Sequence, residues 1–271
     1  MPSHHIRNIS LSTFTNALSR YPASAPESLR ELDTQRYETI PTAFAKRVAS
    51  IEESFLLKEE VEKLVEWKLK HGTFRPKLLS LVQSNHESYI DSVTRAAFDQ
   101  LPDTKLSTKD VLAAVKKLSE LKGIGPATAS LLLSVGKPKE VPFFSDELFR
   151  WCVWDEQGGP GGWKRKIKYN AKEYEQVVEA VEVLWVRLGG KVRAVDIERV
   201  AWVLGKEGVT VGEEGDDGES EKEDTSEKIE EDAEEEVKAE PKKEVKKGTK
   251  RKAPEPKASS TGTRKSTRTK K

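Results

Sequence analysis

The sequence predicts an all-α domain followed by a charged tail that does not fold. Three observations carry this. Apolar residues recur at helical spacing through most of the first 210 or so positions. Only the stretch 141–144 reads as extended, and it is too short to build a sheet. From Glu213 to Lys271 there is no aromatic residue, and isolated Ile and Val are the only large aliphatics, too little apolar surface to offset the entropy of ordering the chain.

The elements follow in chain order. No acid precedes Glu27, and Arg7, Arg20 and several serines lie before it. This reads as a first helix, around 10–20, docked on the core, or as a mitochondrial presequence. Over 57–70, Leu57, Val61, Leu64, Val65 and Leu69 share one face. Gly72 ends that helix, and Pro76 suits the first position of the next. Ile90, Val93, Ala97 and Phe98 predict a helix over 87–100. Val111, Leu112, Val115, Leu118 and Leu121 predict another over 108–121, opened by a capping box of Ser107 with Asp110. The cleanest stripe is Tyr174, Val177, Val178, Val181, Leu184, Trp185 and Leu188, over 172–188. Ile197, Val200, Ala201 and Leu204 give a last helix over 194–204.

The 271 residues carry 47 Lys and Arg against 46 Asp and Glu, and this balance hides a sharp asymmetry. Residues 213–240 hold sixteen acids and three bases, whereas 241–271 hold thirteen bases and two acids. The folding part, 1–212, is left with a net charge of +3. No run of about 18 apolar residues exists, so no membrane partner is expected. Cys152 stands alone, which excludes an intrachain disulfide, a Cys-built zinc site and a four-cysteine iron–sulfur cluster. The four histidines show no paired spacing within a helix beyond the adjacent His4 and His5, so neither metal nor other cofactor is expected.

One segment carries chemistry: Leu121-Lys122-Gly123-Ile124-Gly125-Pro126-Ala127-Thr128-Ala129, between two apolar helices. Two glycines around one aliphatic residue make a tight turn that permits positive φ and close backbone approach. Ile124 can plug the groove between the helices. Pro126 suits the first turn of the second helix. The amides of Gly123, Gly125 and the residues after Pro126 then stand free at a positive helix N-terminus, suited to a phosphate oxygen, with Lys116, Lys117 and Lys122 nearby. The same residues also suit an ordinary helix–turn–helix corner without a ligand.

The nine-residue pattern closely resembles the helix-hairpin-helix motif of the DNA glycosylase superfamily, which includes the endonuclease III, adenine-mismatch, oxoguanine and alkyladenine glycosylases. The resemblance is strong over 107–151, with the motif at about 108–135. It implies a two-lobed helical bundle over 1–212, in which the hairpin grips the backbone of one strand while a flipped base enters the cleft between lobes. It assigns DNA contact to Lys122, Gly123, Ile124, Gly125, Ala127 and Thr128. In the family a catalytic Asp follows the hairpin, where its carboxylate stabilises the oxocarbenium ion formed as the base leaves. Asp146 is the match in Val141-Pro142-Phe143-Phe144-Ser145-Asp146-Glu147-Leu148-Phe149-Arg150. The commonest family spacing is one residue shorter and falls on Ser145. Asp146 therefore reads either as the catalytic acid or as a helix cap. Members that also cut the strand carry a Lys where this chain has Ala127, which implies an N-glycosylase without lyase activity.

Trp67, Phe74, Arg75, Phe143, Phe144 and Trp151 suit a base pocket or the core. The basic, aromatic run from Trp67 to Pro76 suits phosphate or a solvated helix end, and the basic loop around 158–166 suits a strand or plain surface. The tail clusters 246–252 and 264–271 have the composition of nuclear-import signals and of nonspecific nucleic-acid binders. The acidic segment suits folding back on the basic one or engaging a basic protein such as a histone. The reading is a nuclear DNA-binding protein that resembles base-excision glycosylases, its enzymatic form an N-glycosylase that removes a damaged base. The alternatives are a catalytically silent DNA-binding module, and a protein-interaction domain served by its charged tail.

Overall fold

The computed structural model describes residues 3–211 apart from Glu52 and Asp103, and the described residues are helical, with no strand. The tail expected over 213–271 lies outside them. The first helix, α1 (Leu11–Ser19), buries Phe14 and Ala17. Then follow α2 (Tyr21–Ser24), α3 (Arg30–Thr34), a π-helical turn over Gln35–Thr39 and α4 (Ile40–Ile51). None of the helical residues from 21 to 51 is anticipated by the apolar spacing. Pro22, Pro26 and Pro41 interrupt it, and the π turn shifts its phase while carrying Arg36 into the interior.

The next elements are α5 (Lys58–His71), α6 (Leu78–Gln83), α7 (Glu87–Phe98) and α8 (Thr108–Leu118). Val61, Leu64, Val65 and Leu69 of the predicted face of α5 are buried, with Glu60, Trp67 and His71 beside them, whereas Leu57 falls at the N-cap and is half-buried. Pro76 does not open α6 but lies in the turn before it. The capping box on α8 forms: Ser107 Oγ accepts from the Asp110 amide at 3.2 Å, and the Ser107 amide donates to the Asp110 carboxylate at 3.0 Å. α8 stops at Leu118, three residues short of the apolar pattern. Residues 119–121 belong to the turn, with Leu121 still buried.

The helix after the turn, α9 (Pro126–Gly136), is buried at every position from Ala127 to Val135. A helix apolar all round belongs at the centre, and α9 packs on α4, α5 and α8. Its hydroxyls are satisfied: Ser130 donates to the Ala127 carbonyl and accepts from the Phe144 amide, both at 2.9 Å. The remaining elements are α10 (Asp146–Cys152), α11 (Ala171–Arg187) and α12 (Ala194–Lys206). Trp185 of the α11 stripe is 41% exposed, because Leu184 and Leu188 already fill the inward face one residue of rotation away. The chain from 141 to 145 is extended and pairs with no strand.

Candidate functional site

The turn between α8 and α9 is built around Gly123 and Ile124. Gly123 has φ +78°, the left-handed conformation that glycine adopts without strain. Gly125 does not share it: φ −102° and ψ −177° are extended and open to any residue. Ile124 is buried in the core, and its amide donates to the Leu121 carbonyl at 3.1 Å. Asn85, just past α6, locks the turn from outside. Its Oδ1 accepts from the Lys122 amide at 2.9 Å, and its Nδ2 donates to the Lys122 carbonyl at 3.0 Å. The Lys122 side chain is left exposed.

No side chain caps α9, in contrast to α8, α10 and α11, whose N-caps Ser107, Ser145 and Asn170 accept from backbone amides. Gly125 is exposed, and a Cβ built on it meets nothing within 4 Å. The first amides of α9 therefore face open space at the positive end of the central helix. The side chains of Ala127 and Thr128 are buried, so these residues offer a ligand their amides only.

Beside this helix end lies a cleft of about 230 Å³. Lys68 and His71 come from α5, Arg75 from the chain beyond it, and Gly123 and Gly125–Thr128 from the turn and α9. The segment from Phe143 to Glu147, with Lys168 and Tyr169, completes the lining. Of the six candidates for a base pocket, Arg75, Phe143 and Phe144 line the cleft. Trp67 and Trp151 are fully buried core residues, and Phe74 projects into solvent, 69% exposed. The glycine-rich loop is tied elsewhere: Trp163 meets Trp154 edge-on and donates to the Val209 carbonyl.

Asp146 lines this cleft. The capping role falls instead to Ser145, whose hydroxyl accepts from the Leu148 amide at 3.3 Å. Asp146 takes the first helical position, with its carboxylate turned to the cleft. Tyr169 holds it by donating to Oδ1 at 2.9 Å, and Arg150 lies 3.7 Å from Oδ2. Tyr169 is the one non-glycine residue with positive φ among the described residues, at +55°. A left-handed tyrosine costs about 1 kcal/mol or more, a strain that recurs where a side chain must be aimed. Arg75 stacks over the Tyr169 ring at 5.2 Å. Arg75, Tyr169 and Asp146 thus form one chain of contacts along the cleft lining.

A buried polar pair that sequence reasoning missed runs from the cleft lining into the core. His71 stacks on Trp67 with centroids 4.3 Å apart, and its Nε2 is 3.7 Å from Glu198 Oε1. Both atoms are buried without a hydrogen bond. Burial, with Glu147 as a like charge and the Ser145 hydroxyl opposing, pushes Glu198 up to about 8. Burial pushes His71 down to about 3, aided by Lys206, Arg36 and Lys68. Both groups are therefore neutral near pH 6.

This pair shapes stability against pH. Between about 3 and 6.5, unfolded His71 binds a proton that the folded form refuses, so its contribution to stability rises with pH. Between 4.5 and about 8, folded Glu198 keeps a proton that the unfolded chain has lost, so its contribution falls with pH. The two nearly cancel between 4.5 and 6.5, and stability drops from 6.5 to about 8. Glu198→Gln should remove that upper drop, read as urea midpoints across the range. An unchanged drop in the variant would show that other groups cause it.

Comparison of the chain with protein-family profiles, with curated proteins and with solved structures found no match.

Proposed function

We propose that this chain binds DNA through the turn before α9 and releases a damaged base held in the adjoining cleft. The observation that carries the reading is the meeting of two features in one cleft: the uncapped amide end of α9 and the carboxylate of Asp146. A backbone phosphate would sit on the amides of Gly125, Ala127 and Thr128, with Lys122 and Arg75 adding positive charge. The cleft, below the ~300–1,000 Å³ of sites for drug-sized ligands, suits a single planar base, with Phe143 and Phe144 buried beneath its lining. Base departure leaves positive charge on the sugar, and the Asp146 carboxylate stabilises it from a partly dry site. The Tyr169 hydroxyl keeps that carboxylate aimed. In this reading 1–212 is the glycosylase-like helix-hairpin-helix domain. The basic segment 241–271 adds nonspecific DNA affinity and nuclear import, and the acidic segment before it engages a basic protein.

The test is the full chain against a panel of duplexes, each with one damaged base, scored for base release after hot alkali so that every abasic site is revealed. Release from at least one duplex is expected. Tight, salt-dependent binding with no release would leave a DNA-binding module without chemistry. Absence of any binding at low salt would favour the protein-interaction reading.

A further inference from the structure

Ala127 leaves the hairpin without an amine, but the cleft is not without one. Lys68 stands on the last turn of α5 and lines the same cleft as Asp146. Lys168 lines it too, but at its exposed rim, whereas Lys68 is half-buried in the wall between His71 and Arg75. Among the described residues no carboxylate comes within ion-pair distance of Lys68 Nζ, although Asp146 is close enough to favour its charge. An ammonium without an ion-pair partner is an unusual occupant for a half-dry wall, since a structural lysine there is normally paired.

We infer that Lys68 is an amine nucleophile of this cleft, which condenses with the C1′ aldehyde of an abasic deoxyribose and so cuts the strand after the base has gone. The inference rests on the DNA reading above and goes beyond it. Burial, reinforced by Arg75, brings the Lys68 ammonium down to about 8, from an ordinary 10.5. About a tenth of it is then free amine at neutral pH.

The chemistry balances with the groups at hand. The Nζ lone pair adds to C1′ of the ring-opened sugar; one proton from the amine and one from solvent pass to the C1′ oxygen, which leaves as water to give an iminium, and the solvent proton is returned when the iminium is hydrolysed. The Asp146 carboxylate takes a proton from C2′, and the C–H electrons form an enamine. The enamine electrons then expel the 3′ phosphate, which leaves with the C3′–O pair. Water adds at C1′ and returns the free amine. No oxidant or reductant is needed.

Borohydride trapping tests this on the intact chain. With an abasic-site duplex, a covalent adduct is expected, mapped by peptide mass spectrometry to Lys68. Its yield per bound complex should fall at least about tenfold in Lys68→Met and Lys68→Arg, both checked for folding by their thermal transitions. The trapping rate should climb with pH and level off above about 8, because only the free amine reacts. An adduct on Lys168 or on another lysine, or an undiminished adduct in Lys68→Met, overturns the inference. A duplex that binds and yields no adduct overturns it while leaving the DNA reading in place. If the duplex does not bind at all, the DNA reading falls. The same trapping with deoxyribose 5-phosphate then decides Lys68: an adduct there sustains its role as a reactive amine, and none overturns it.

Discussion

Asp146→Asn is expected to slow base release by roughly 10²–10³-fold while leaving duplex affinity equal or higher. Asparagine keeps the shape of the side chain, and its Oδ1 still accepts from the Tyr169 hydroxyl, so the local fold survives. What disappears is the negative charge. In a duplex complex the lost anion removes repulsion with the phosphates, so binding does not weaken. In the departure step the same loss withdraws the counter-charge from the sugar cation, which raises the barrier and not the binding energy. Single-turnover release on the best duplex of the panel, with affinity measured in parallel, separates the two. Release by the variant at the wild-type rate would remove Asp146 from the reaction. Ser145→Ala is the matched control for the shorter register. Its hydroxyl is buried and engaged in capping α10, so the change should cost about 1 kcal/mol of stability and leave the chemical step largely alone.

The sequence made some of this geometry legible and hid the rest for definable reasons. Helices such as α5, α7, α8 and α11 bury one face against a core, and a period of 3.6 writes that face directly into the chain. The region from 21 to 51 does not, because it is punctuated by proline and its run from Arg30 to Ile51 passes through a π turn that shifts the phase of the pattern. Gly123 and Ile124 were readable because turn chemistry is local. Tyr169, Asn85 and Glu198 were not. Tyr169 reaches Asp146 across 23 positions, Asn85 reaches Lys122 across 37, and Glu198 meets His71 from the far end of the domain. No local pattern encodes such pairings. Lys68 is the intermediate case. Its basic, aromatic neighbourhood stood out in the sequence, but only the packing of α5 against the cleft separates a half-buried amine from a solvated helix end.

The two turn glycines should separate folding from binding, since their backbones differ although their spacing makes them look alike. Gly123→Val is expected to destabilise the domain by about 2–4 kcal/mol, from a β-branched residue forced to positive φ and from overpacking. The crowding is specific: a Cβ there would stand 3.0 Å from Leu81 Cβ and 3.2 Å from the Val82 amide nitrogen, and that nitrogen is backbone that cannot swing aside. Gly125→Val should leave stability within about 0.5 kcal/mol, because its extended φ and ψ suit a branched residue and the space around it is empty. That same empty space is where the proposed phosphate approaches the α9 amides. Two methyl groups set there should weaken duplex binding by about tenfold or more, a loss of roughly 1.4 kcal/mol. Urea unfolding reports the first effect, and fluorescence anisotropy of a labelled duplex reports the second. Unaltered affinity in a folded Gly125→Val protein would mean that no phosphate sits on this helix end, whatever the cleft beside it does.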